Sequence, residues 1–135
     1  TSPQEVRFPF CMAFSPDGRL LAFADTFGPV YLWDTSGRRS LRRLTGHNGA
    51  PTALAFAPDG MLASGGMDHT IRLWRLDIDQ EVAILEGHRG WVMCLAFADD
   101  GNTLLSGSMD GTLNLWRATP AEEIEAADKV SPTNP

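Results

Sequence analysis

Three tryptophans recur at Trp33, Trp74 and Trp116, spaced by 41 and 42 residues, and three phenylalanines at Phe14, Phe56 and Phe97 keep step at 42 and 41. A fixed period of this length is the mark of one supersecondary unit laid down repeatedly, in a stack or around an axis. Turn chemistry recurs in phase, because Pro16-Asp17-Gly18, Pro58-Asp59-Gly60 and Asp99-Asp100-Gly101 each follow an apolar stretch that ends near the repeating Phe. Proline pre-sets an early turn dihedral and glycine supplies the left-handed one, so each triplet reads as a tight reversal between two short strands.

The second unit shows the plan most plainly. Segments 52–56, 61–65, 70–74 and 81–85 are short, rich in apolar and β-branched residues, and separated by Asp-Gly, Met-Asp-His and Asp-Ile-Asp turns. No segment sustains helical apolar spacing over three turns without meeting Gly or Pro, so the unit reads as a four-stranded antiparallel meander. Its first three strands are apolar on both faces, as a sheet sandwiched between neighbours must be, and its fourth is polar enough to form a rim.

These residues resemble the WD-repeat family of β-propellers over residues 5–117. Gly46-His47 and Gly87-His88 match the family's Gly-His dipeptide, each His nine residues ahead of its Phe. Leu32-Trp33-Asp34 matches the Trp-Asp dipeptide outright, and Leu73-Trp74-Arg75 and Leu115-Trp116-Arg117 carry Arg in the Asp position. The resemblance implies an all-β chain, a partial β-propeller of three four-stranded antiparallel blades. Blade one is expected over 1–45 in degenerate form, blade two over 46–86 and blade three over 87–125, with 126–135 a disordered tail.

His47, Ser64 and Asp68 have the composition of a nucleophilic triad, but the set recurs in register as His88, Ser106 and Asp110. An enzyme needs one reaction centre, not one per structural unit. The resemblance implies instead that each set joins Trp74 or Trp116 in a structural hydrogen-bond network running from Asp to His to Ser to the indole N–H. Blade one departs from it, with Glu5, Phe23 and Phe27 at the corresponding positions and Gly28-Pro29 at the strand start, so aromatic packing has to replace the polar chain.

Other chemistries are excluded on composition and spacing. The net charge of −6 and a single dense basic run, Arg38, Arg39, Arg42 and Arg43, argue against nucleic acid. That run reads as a solvated strand edge. Apolar stretches such as 92–98 fall far short of the roughly 20 residues that span a bilayer. The three His and two Cys fall in no metal-ligand spacing, and phosphate-cradling glycine runs are missing, so no metal or cofactor is expected. Cys11 and Cys94 occupy equivalent places in blades one and three, too far apart to bridge, and read as buried reduced thiols in a cytoplasmic protein.

Function is therefore expected to lie in surface presentation: a non-catalytic scaffold that binds a protein or peptide. The resemblance implies a docking face at the strand starts and turns of one end, where Phe8, Phe10, Met67, Trp91, Met93 and Met109 are nominated. Three blades fall short of a closed ring, so further blades are expected from a longer chain or from self-association. The chain resembles the carboxyl end of bacterial multi-repeat proteins, which leaves as the alternative a regulatory or substrate-recognition module of a larger bacterial enzyme such as a serine/threonine kinase.

Overall fold

The computed structural model describes residues 11–26, 29–36, 42–118 and 124–130. Among them every regular element is a strand, in three antiparallel sheets of four, each in simple meander order. Blade one holds β1 (Cys11–Phe14), β2 (Leu20–Ala24), β3 (Val30–Asp34) and β4 (Arg42–Leu44). Blade two holds β5 (Pro51–Phe56), β6 (Leu62–Gly66), β7 (Ile71–Arg75) and β8 (Gln80–Leu85). Blade three holds β9 (Val92–Phe97), β10 (Thr103–Ser108), β11 (Leu113–Ala118) and β12 (Ile124–Val130). The Asp-Gly triplets close the first reversal of each blade: the amides of Gly18, Gly60 and Gly101 bond back to the carbonyls of Ser15, Ala57 and Ala98 at 2.9 Å.

Strand register aligns the second and third strands of the three blades residue for residue. Leu21 pairs with Trp33, Leu62 with Trp74 and Leu104 with Trp116, which sets Phe23, Ser64 and Ser106 at one position and Tyr31, Arg72 and Asn114 at another. Period-two alternation then gives each blade two faces. The leading face, with the Trp, packs onto the blade before. Trp74, Leu54 and Phe56 of blade two join Ala22, Val30 and Leu32 of blade one in one apolar cluster, while Trp116, Leu95 and Phe97 of blade three join Ala63, Ile71 and Leu73 of blade two in another. Close approach at the second contact requires Gly65, where an added Cβ would come within 2.4 Å of Val92 Cγ1.

At the two ends of the row these faces meet no neighbouring blade among the described residues, and side chains that are covered elsewhere stand open. Met12 and Phe14 are 62% and 61% exposed, although their counterparts Leu54 and Phe56 are packed against blade one. On the trailing face of blade three, Leu105 and Leu113 are 42% and 39% exposed, whereas Ala63 and Ile71 at the same positions of blade two are fully buried.

Two expectations are corrected. The boundary at 125 and the disordered segment after it give way to β12, which pairs along β11 from Ala118↔Ile124 to Leu113↔Val130. The backbone groups on the outer edge of β11 need partners, and a rim strand supplies them. Cys94 is exposed because it sits on the open trailing face, and only Cys11 is partly covered; both thiols are free. Burial pushes the Cys11 thiol up to about 11. Glu5, Phe27, Gly28, Arg38, Arg39 and residues 131–135 lie outside the described residues.

Candidate functional site

Each of blades two and three carries a chain of side chains running from its core to one end. In blade two Trp74 Nε1 donates to Ser64 Oγ at 2.8 Å, and His47 Nε2 lies 2.7 Å from the same oxygen. The serine accepts from the indole; because the Asp68 carboxylate can only accept, Nδ1 carries the proton of the neutral ring and faces Asp68 Oδ1 and Oδ2 at 3.1 Å, and Nε2 accepts from the Ser64 hydroxyl. Blade three repeats the chain: Trp116 Nε1 to Ser106 Oγ at 2.9 Å, Ser106 to His88 Nε2 at 2.7 Å, and His88 Nδ1 to Asp110 Oδ2 at 3.4 Å. The structure thus brings together all eight residues nominated for the two networks.

Both carboxylates collect more donors than the sequence suggested. Asn48 N donates to Asp68 Oδ2 at 2.9 Å and Thr70 Oγ1 to Asp68 Oδ1 at 2.9 Å; Arg89 N donates to Asp110 Oδ2 at 2.8 Å, and Thr112 N to Asp110 Oδ1 at 2.9 Å. Thr70 and Thr112 are members of the networks that sequence reasoning left out, although an Asp-x-Thr spacing repeated in both blades would have marked them. Burial pushes the Asp68 carboxyl upward, but the bonds from Asn48, Thr70 and His47 outweigh it and bring the group down to about 2. The same balance, with Arg89 and Thr112 as donors, holds Asp110 well below the usual carboxylate range. Burial lowers the affinity of His47 for a proton, and the Asp68 charge offsets only part of that.

Chemically this arrangement fixes the loop that carries the Gly-His dipeptide to the turn between the second and third strands. Ser64 and Ser106 are buried, and each accepts an indole N–H while donating to a histidine, so neither hydroxyl is presented to a substrate. Among the described residues no group of His, Cys, Asp and Glu could hold a metal ion. In blade one Phe23 occupies the serine position and stacks on Tyr31, with ring centroids 5.5 Å apart and an angle of 18° between planes. Trp33 Nε1 is then buried without a partner.

At the end of the sheet above the networks, the nominated docking residues separate. Met109 N donates to Trp91 O at 2.9 Å, which ties these two together, and their side chains are 66% and 41% exposed. Met67 N makes the same bond to Ala50 O at 2.9 Å, so Met67 stands at the equivalent place one blade away, half-buried, beside a small partner. Met93 takes the register position of Thr52, whose hydroxyl bonds the Val92 carbonyl of the next blade. Met93 therefore belongs with the open trailing face. Phe8 and Phe10 lie outside the described residues.

The model of the family described as WD domain, G-beta repeat matches residues 38–75 and 79–117, more than half of the chain. A periodic tryptophan protein 2 homolog from Neurospora crassa is 39% identical over 79 residues, covering 56% of this chain and 9% of that protein. An activating molecule in BECN1-regulated autophagy protein 1B from Danio rerio is 36% identical over 76 residues, 55% of this chain and 6% of that protein. A U3 small nucleolar RNA-associated protein 15 homolog from Xenopus tropicalis is 40% identical over 76 residues, 56% of this chain and 14% of that protein. The chain thus spans a small part of the length of each relative, and these relatives, from a fungus, a fish and a frog, lend no support to the expected bacterial origin.

Proposed function

The chain belongs to the WD-repeat family, and from that premise we propose that it works as a non-catalytic protein-interaction scaffold whose contact residues centre on Trp91 and Met109. WD-repeat domains generally mediate protein–protein interactions, and the observation that carries the site is the exposed Trp91–Met109 pair standing on a rigid polar network. Large, adaptable side chains on a fixed base make hot spots, because little ordering entropy is lost on contact. Met67, one blade away, extends the apolar surface, and the partner of this face is a short protein segment with a hydrophobic anchor.

Peptides selected from a displayed random library on the wild-type chain test the site. Trp91→Ala should weaken them by about 2 kcal/mol, roughly 30-fold, while the melting temperature holds. Intact affinity combined with a large drop in melting temperature would turn Trp91 into a packing residue and remove the site.

The open faces at Met12 and Phe14 and at Leu105 and Leu113 support a second part of the proposal, that further blades cover them, from a longer chain or from another copy. Their counterparts inside the row are covered by a neighbouring blade. The isolated chain should therefore scatter light above its monomer mass, and Leu105→Glu should shift it toward monomer; a monodisperse monomer in both would refute this. Two free thiols support a reducing, cytoplasmic setting, which cell fractionation would check by finding the chain in the cytosolic fraction.

A further inference from the structure

At the end of the blades that carries the Asp-Gly reversals, opposite Trp91, the two inter-blade clefts are closed differently. Between blades one and two, Arg42 of β4 crosses the gap: its Nη1 donates to Asp79 Oδ1 at 2.8 Å and to the Leu76 carbonyl at 3.5 Å. Arg42 pairs with Leu32 as Ala83 pairs with Leu73, so Ala83 holds the place of Arg42 on the outer strand of blade two. A methyl group cannot span the next gap. What remains between blades two and three is a cleft of about 830 Å³, floored by Leu73, Phe97, Leu104 and Trp116, with Val82 on its wall and Asp59 and Asp77 among its lining residues.

We propose that this cleft is a docking groove for an extended segment of a partner protein presenting an arginine flanked by apolar residues, its guanidinium entering over Ala83 as Arg42 enters the neighbouring cleft. The chain itself displays the chemistry that fits. Arg42 pairs with Leu32, and Leu32, Phe56, Leu62 and Trp74, which cluster between blades one and two, are the register counterparts of Leu73, Phe97, Leu104 and Trp116 in the open cleft. An arginine stem lies well on such a surface while its head reaches polar acceptors at the edge. Charge points the same way: around this cleft Asp59, Asp99 and Asp100 stand with Asp77, which pairs with Arg75 at 2.7 Å, so that four carboxylates face the two guanidinium groups of Arg75 and Arg117. A volume of this size holds several side chains, as ligand clefts do.

The probe is the capped pentapeptide acetyl-Ser-Leu-Arg-Leu-Ser-amide, titrated into the full chain and followed by amide chemical shifts. Saturable shifts are expected at Val82, Ala83, Phe97 and Gly101, with one peptide per chain and no response at Trp91. Ala83→Arg supplies the guanidinium from within and should weaken binding at least about tenfold, while Arg42→Ala opens the first cleft and should raise the stoichiometry to two. If Ala83→Arg does not fold, the double variant Asp59→Asn, Asp77→Asn on exposed turns should weaken the probe to a similar degree. A peptide with Glu in place of Arg should not bind. Equal binding of the Glu peptide, unchanged affinity in Ala83→Arg, or a stoichiometry still of one in Arg42→Ala would each overturn the proposal. So would groove shifts that track protein concentration without peptide, which would make a second copy the occupant.

Discussion

Trp33 and Trp74 stand at one register position in adjacent blades, yet they do different physical jobs. Trp74 is buried against blade one, and its indole N–H is passed through Ser64 and His47 to Asp68. Trp33 is half-buried, and its N–H is enclosed without an acceptor because Phe23 fills the serine position. Strand register fixes where the tryptophan goes; the neighbouring blade and the polar chain fix what it is worth. In blade one an aromatic stack of Phe23 on Tyr31, with the Arg43 guanidinium 5.8 Å from the Tyr31 ring, takes the place of the Trp–Ser–His chain.

The widest test of that contrast is truncation of both tryptophans. Trp74→Ala should cost about 3 to 5 kcal/mol in urea denaturation, since it opens a cavity between two blades and strips Ser64 of its donor. Trp33→Ala should cost no more than about half as much, because it removes an unsatisfied donor along with less buried surface. Equal losses would mean that the polar chain adds nothing to the indole's packing.

How far this was readable in advance follows the same line. Strand count and phase were legible because Phe, Asp-Gly and Trp each recur at a fixed place in the meander, and both networks because His, Ser and Asp recur with them. The place of the twelfth strand was hidden, not its existence: in Ile124–Val130 a rim strand needs only backbone partners, so the sequence carries no alternation that marks its bounds. The fate of Met93 was hidden too, since which face it joins depends on the register shift between Gly107 and Ser108, and no spacing announces that bulge. The difference between the clefts rests on one residue of the outer strand, Arg42 or Ala83, whose reach matters only once the neighbouring blade is in place.

A finer test uses the Asp68 and Asp110 carboxylates: in blade one the sequence counterpart of Asp68 is Phe27, and its buried carboxylate, Asp25, stands two residues earlier. Asp68→Ala and Asp110→Ala should each destabilise the chain by about 1 to 3 kcal/mol, because the histidine and backbone donors around them lose their acceptor. Protons offer a gentler version. In the unfolded chain the Asp68 carboxyl titrates near 3.8 and in the folded chain at about 2, so its contribution is present above pH 4 and is lost as pH falls toward 2. The size of that loss is on the order of 2 kcal/mol. His47 acts earlier in the same direction: its folded affinity for a proton is below the usual value, so the unfolded state takes up the proton first and stability begins to fall as pH drops through 6.5. Thermal melts from pH 8 to pH 2 should therefore decline in two stages in the parent chain. Asp68→Asn should keep the stage near pH 6.5 and flatten part of the acid stage, leaving the share that belongs to Asp110. Trp33→Phe, which touches only the blade without a polar chain, should shift the melting temperature slightly and leave both stages in place. An acid stage that survives undiminished in Asp68→Asn would assign the pH dependence to carboxylates outside the networks and reduce the contrast between the blades to packing alone.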